Sequence, residues 1–265
     1  MILRIVVPSR IALVIIGIES CQMQTLHDNL DDRANRWTLL AAFAGHFLRP
    51  FSAVDSVPPD EVTACERSLG TRLPKSLVEF YAMCGNATDI WCRQDEWLRP
   101  AELRRDNDVL VFWMENQGNW SLGIRDTDLA LEDPPVVWDP DTCVHGSRAG
   151  KKFTVLAESV SAFALNMIAY VAKFFDPGFE RPFGCTYDVD QFIDLVSGAY
   201  PKCQLQEEWV YHQREWYFQD LDTFVEVNET TGFVYPILKT PAALNRFCEL
   251  TADAQFEWDI PPGGS

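Results

Sequence analysis

The stretch Glu66 to Gly85, E-R-S-L-G-T-R-L-P-K-S-L-V-E-F-Y-A-M-C-G, constrains the fold more than any other part of the chain, because it spells two short helices joined by a corner. A first helix is expected after Pro58 and Pro59, with Asp60 and Glu61 near the positive end of its dipole. It places Val62, Cys65 and Leu69 on one face and stops at Gly70, where glycine tolerates the left-handed backbone of a helix end. A second helix follows at once. Pro74 suits a first turn, and Leu77, Phe80, Tyr81 and Cys84 recur at helical spacing on one side. Gly85 is expected to close it in the left-handed conformation. Nothing in this corner carries chemistry.

The pattern continues in a definite order. Ile90 and Trp91 follow Asn86, and Trp97 to Leu103 reads as a short strand and a turn of helix. Val109 to Met114 is an apolar run, Asn116-Gln117-Gly118 a turn, and Trp120, Leu122 and Ile124 alternate, so a hairpin with one buried face is expected. Pro134 to Asp139 reads as an edge strand. Ser159 then opens a helix whose Val160, Phe163, Ala164, Met167, Ile168 and Val171 form an apolar stripe. This succession resembles the SUKH superfamily, which takes in fungal cell-wall-synthesis regulators and many bacterial immunity proteins, over about residues 37–175. The resemblance implies an α+β fold, a mostly antiparallel sheet flanked by helices, and a non-catalytic protein-binding role.

Three regions are expected. Residues 1–22 form an apolar N-terminal extension, 23–175 a SUKH-like domain with its own N-terminal helix, and 176–265 an acidic C-terminal α/β extension or subdomain. In the first, Arg4 and Arg10 precede the run Ile11 to Ile18 and then Glu19-Ser20-Cys21, which imitates a signal peptide or a lipoprotein cleavage site. The run is too short to span a bilayer, and Glu19 is a poor neighbour for a cleavage site. A cytoplasmic protein with a misassigned start is therefore expected, export or a lipid anchor being the alternative. In the second, a helix over 29–49 buries Trp37, Leu40, Ala41, Ala44 and Phe47 or Leu48. In the third, a helix runs from Asp188 to Val196 and stops at Gly198. Hairpins are expected over Trp209 to Phe218 and Phe224 to Tyr235, the second turning at Asn228 to Gly232, before a last helix capped by Thr240 with Leu244, Phe247 and Cys248 inward.

Charge narrows the function. The net charge is −17, and the part from Asp176 onward has 16 acidic and 5 basic residues. A nucleic-acid or anionic-membrane ligand needs a basic face, so neither is expected, whereas a basic protein partner would be steered toward such a surface. The eight cysteines show no C-x-x-C and the four histidines are scattered, so neither zinc nor any other cofactor is expected, and reduced thiols fit the cytosol. The pairs Asp106/Asp108, Asp126/Asp128, Asp139/Asp141 and Asp188/Asp190 sit at expected turns or helix starts, where aspartate caps backbone amides. His145 has no orienting partner for general-base work. No catalytic residue is assigned.

The expectation is a protein that binds and neutralises a basic, nuclease-type toxin, with a regulatory scaffold and then an unrecognised enzyme as alternatives. The contact surface is placed on Glu207, Glu208, Trp209, Glu215, Trp216, Asp220 and Asp222, where acid and tryptophan alternate. Trp97 and Trp138, at element ends, are further candidate anchors.

Overall fold

Asp32 has an extended backbone and its side chain accepts from the amide of Ala34, so the first helix, α1, begins at Arg33 and runs to Phe47 (Arg33–Phe47). The structure is a computed structural model, and it describes residues 26, 30–118, 120–138, 153–175, 183–206 and 214–260. Helix α1 buries Leu39 and Phe43 as well as Trp37, Leu40, Ala44 and Phe47. That is wider than the expected stripe, because α1 is covered on two sides.

The predicted corner forms. Helices α2 (Pro59–Leu69) and α3 (Lys75–Cys84) flank Gly70, whose φ of 67° is left-handed. Gly85 departs from expectation: its φ is −64°, and the chain turns on into the four-residue helix α4 (Thr88–Trp91). Glycine is required there for space, since a Cβ would stand 2.6 Å from Cδ1 of Tyr81 and 2.9 Å from Cγ2 of Val57.

The first sheet contains β1 (Glu96–Trp97), β2 (Arg104–Asp106), β3 (Val109–Met114), β4 (Ser121–Arg125), β5 (Val136–Trp138) and β6 (Thr154–Ala157). It is antiparallel in the order β1-β3-β4-β5-β6, with β2 also beside β3. Two expectations are corrected. Strands β3 and β4 are buried on both faces, because Leu103, Leu129 and Phe153 from connecting segments join the helices in the same core. Strand β5 lies between β4 and β6 and is not an edge. Helix α5 (Val160–Ala172) is capped by Ser159, whose hydroxyl accepts from the amide of Ala162. A register shift between Val111 and Trp113 lets both Phe112 and Trp113 rest on Phe163 of α5, each 5.8 Å away. Trp97 stacks on Phe80 at 3.6 Å, and Trp97 and Trp138 are both buried, so neither is an exposed anchor.

Beyond residue 176 the chain builds a second sheet of its own: β7 (Phe183–Thr186), β8 (Glu215–Gln219), β9 (Thr223–Asn228), β10 (Phe233–Leu238) and β11 (Phe256–Ile260), antiparallel in the order β11-β7-β10-β9-β8. The Asn228 to Gly232 turn forms as predicted, with Oδ1 of Asn228 accepting from Thr230 and Thr231. Strand β8 pairs with β9, so the two expected hairpins are one meander; residues 207–213 lie outside the described residues. Helix α6 (Val189–Ala199) runs through Gly198 to a cap at Tyr200, and α7 (Pro241–Thr251) starts at Thr240 as expected. Strands β7 and β11 were not expected from the sequence.

The layers alternate. Helices α1 and α5 pack together and separate the sheets, Phe43 of α1 meeting Phe224 of β9 edge-on at 5.0 Å. Tyr217, Phe224 and Ile237 of the second sheet thereby belong to the main core. Its opposite face, with Phe218, Val225, Val227 and Val234, makes a smaller core with Phe192 and Val196 of α6 and Phe247 of α7. The protein is an α+β fold. Among the described residues no helix is long and apolar enough to cross a membrane.

Candidate functional site

The acidic surface expected on the C-terminal part is rearranged by the second sheet. Glu207, Glu208 and Trp209 lie outside the described residues, as do Asp139, Asp141 and His145. Glu215 is a correction: it is 3% exposed and points at α5, because on β8 it shares the inner face with Tyr217 and Gln219 while Trp216 and Phe218 take the other. Trp216 is half-buried and its ring is already occupied. Lys202 stands 3.8 Å from its centroid, Arg214 lies 5.3 Å away, and its indole nitrogen donates to Glu229 at 2.6 Å. Asp220 accepts from the amide of Leu221 within the β8–β9 turn. Asp222 accepts from Thr240 at 2.9 Å and pairs with Arg246 at 2.5 Å, tying that turn to the start of α7. Burial works against its charge, but the bonds from Thr240 and Arg246 hold its carboxyl below the ordinary value. These two aspartates hold the turn.

What the second sheet brings together is a buried ionic cluster between the layers. Lys173, just past the end of α5, donates to Oε1 of Glu226 on β9 at 2.5 Å and lies 3.6 Å from Glu215 on β8. The three side chains are 8%, 1% and 4% exposed. The hydroxyl of Tyr217 donates to Glu215. The Lys173 ammonium also lies 4.2 Å from the ring centroid of Tyr170 and 5.1 Å from that of Tyr235. Tyr170 in turn bonds Asp95, which also accepts from the amide of Asn116, so the polar chain reaches the first sheet.

The electrostatics follow from one ammonium serving two carboxyls away from water. Burial alone would lower Lys173, but Glu226 and then Glu215 outweigh it and keep the ammonium charged. Burial pushes Glu226 up, Lys173 only partly opposing, and its Oε2 has no hydrogen-bond partner. Burial likewise raises Asp95, to about 6. A lysine held protonated is neither nucleophile nor base, so the cluster acts as an electrostatic tie between β8, β9 and α5. No sequence signal nearby marked it, because Lys173 and Glu226 are 53 positions apart.

Elsewhere, an open groove of about 300 Å³ runs between α2 and the turn at Pro100, with Cys65 and Leu69 on its floor. The Cys65 thiol is raised by burial and then by Glu66, which disfavours the reactive thiolate. Among the described residues no group of three or more His, Cys, Asp or Glu side chains could hold a metal ion.

Comparison of the chain with protein-family models, with curated proteins and with solved structures returns no match.

Proposed function

We propose that this protein is a non-catalytic binding module, most concretely an immunity protein that neutralises a basic, nuclease-type toxin by direct binding. The observation that carries the reading is charge: −17 over the chain, with 16 acidic against 5 basic residues from Asp176 onward. Carboxylates arranged on a folded surface substitute for the phosphates that a nuclease cleft attracts, and they accelerate encounter with it. Because Glu215 is buried and Asp222 is engaged, the reading takes as its contact surface exposed carboxylates such as Asp253, Glu257 and Asp259 in place of those on β8. The helix corner, the hairpin and the closing helix on which the SUKH resemblance rests all form in the expected order, which supports the same reading.

The test is co-expression with the product of the adjacent gene, followed by affinity capture and growth rescue. Rescue together with a stoichiometric complex is the expected outcome, with an association rate that falls steeply as salt is raised. Neither rescue nor a complex would sink the immunity reading and favour the regulatory scaffold.

A further inference from the structure

The second sheet is covered unevenly. Among the described residues, its outer face carries α6 and α7, and its inner face carries α1 and α5 over β8, β9 and the end of β10. The remaining inner face is built by β7, the start of β10, and β11. Cross-strand register puts Phe233 opposite Cys185 and Glu257 opposite Cys185 on the other side, so all three share this face. Phe183, Phe233 and Tyr235 form an aromatic row: Phe183 stacks with Tyr235 at 5.9 Å, and Phe233 lies 6.4 Å from Phe183 and 6.3 Å from Tyr235. Phe233 is 39% exposed and Tyr187, next to it on the chain leaving β7, is 67% exposed. The outward residues of the same strands behave differently. Val234 is fully buried, and Phe256 and Trp258 pack with Phe247. The partly exposed aromatic row is thus a property of one face of well-packed strands.

We propose that this face is a docking surface for a basic protein, whose arginine or lysine side chains lie over the rings of Phe183, Phe233 and Tyr187 and pair with Glu257 and Asp259. The inference rests on the binding reading given above and assigns it a surface. Glu257 and Asp259 are both exposed on β11, the last strand of the sheet, and the hydroxyl of Tyr187 donates to Glu257 at 3.0 Å, which positions carboxylate and ring side by side. Aromatic faces attract cations, and a flanking carboxylate supplies the paired charge. The row already shows this chemistry at its inner end, where the Lys173 ammonium stands 5.1 Å from the Tyr235 ring. A second copy of the chain is a poor occupant, because Glu257 and Asp259 would meet carboxylates on a partner of charge −17.

The experiment titrates the isotope-labelled full chain with a decapeptide of alternating arginine and glycine, at about 0.15 M salt to suppress diffuse attraction. Amide shifts concentrated in residues 183–187, 233–235 and 256–259 are expected, with none for the matching glutamate–glycine peptide. The double variant Tyr187→Ala/Phe233→Ser should bind roughly tenfold more weakly with an unchanged melting temperature, as for a pair of aromatic anchors. Should that variant lose stability, Glu257→Gln/Asp259→Asn, which alters only exposed side chains, should still weaken binding several-fold. Shifts spread over the whole surface, no binding, or equal affinity in both variants overturn the proposal. So does a concentration-dependent dimer of the wild type that the aromatic variant abolishes. A toxin complex kept at full affinity by both variants removes this face while leaving the immunity reading intact, and absence of any wild-type complex removes that reading irrespective of the peptide map.

Discussion

Lys173 is the residue on which most depends, because it is the single ammonium between Glu215 and Glu226. Lys173→Met should destabilise by about 3–5 kcal/mol in denaturant melts at about pH 9, above the folded pKa of Glu226, where it leaves two carboxylates buried without a counter-charge. Adding Glu226→Gln should restore a good part of the loss. Glu226 itself makes stability depend on pH. Its folded pKa of about 8 stands above its unfolded 4.5, so the fold holds the proton more tightly, and stability falls as pH rises through that window. Asp95, raised from 3.8 to about 6, adds a slope of the same sign at lower pH. Thermal melts of Glu226→Gln between those limits should show a flatter profile, and an unchanged slope would refute the assignment. Glu79 teaches the opposite lesson about surface residues. Helical spacing puts it outside, where an alanine substitution costs about 0.5 kcal/mol at most. In the fold its carboxylate accepts from the Trp37 indole at 2.8 Å and pairs with Arg33 at 3.0 Å. Glu79→Ala should therefore destabilise by about 1–3 kcal/mol in the same melts.

The α2–α3 corner was legible because capping and spacing are local. Pro59, Gly70, Leu77 and Phe80 stand where those rules put them, Leu77 and Phe80 being fully buried. Leu77→Ala or Phe80→Ala should cost about 2–5 kcal/mol, the range for emptying a core site. The sheets were less legible. In β8 the alternation of Glu215, Trp216, Tyr217, Phe218 and Gln219 puts apolar rings on both faces, so periodicity alone does not say which face meets α5. Strand β11 was missed because its partner β7 lies some 70 residues earlier, across α6 and the β8–β10 meander. Two glycines are requirements of strand packing. A Cβ on Gly123 would stand 2.3 Å from Cγ1 of Val109, and one on Gly184 would stand 2.4 Å from Cζ of Phe256. Gly123→Ala should destabilise by about 1–3 kcal/mol or more, read as a lowered denaturation midpoint.

The whole molecule joins its two halves through one core and one ionic tie. Phe43 and Phe47 of α1 rest on Phe224, and Lys173 reaches Glu226, so a fragment ending at residue 175 would expose both rings and strip the ammonium of its partners. Such a fragment should bind a hydrophobic dye and show a poorly dispersed amide spectrum. A folded, two-state fragment would show that the first sheet and its helices suffice alone. At this scale the sequence by itself determined the α+β class, the acidity, the helix boundaries set by Gly70, Ser159 and Thr240, and the burial of Val160, Phe163 and Ile168 along α5, whereas it placed the start of α1 four residues too early. Each depends on atoms within a few positions along the chain, where spacing and capping decide the outcome. Only the tertiary structure decided that Glu215 faces inward, that Trp216 is held by Lys202 and Arg214, and that Phe233 and Tyr187 remain exposed, with Phe183 half-buried, beside Glu257 and Asp259. Those outcomes turn on which layer covers which face of a strand, and that is settled by packing between segments far apart in the chain.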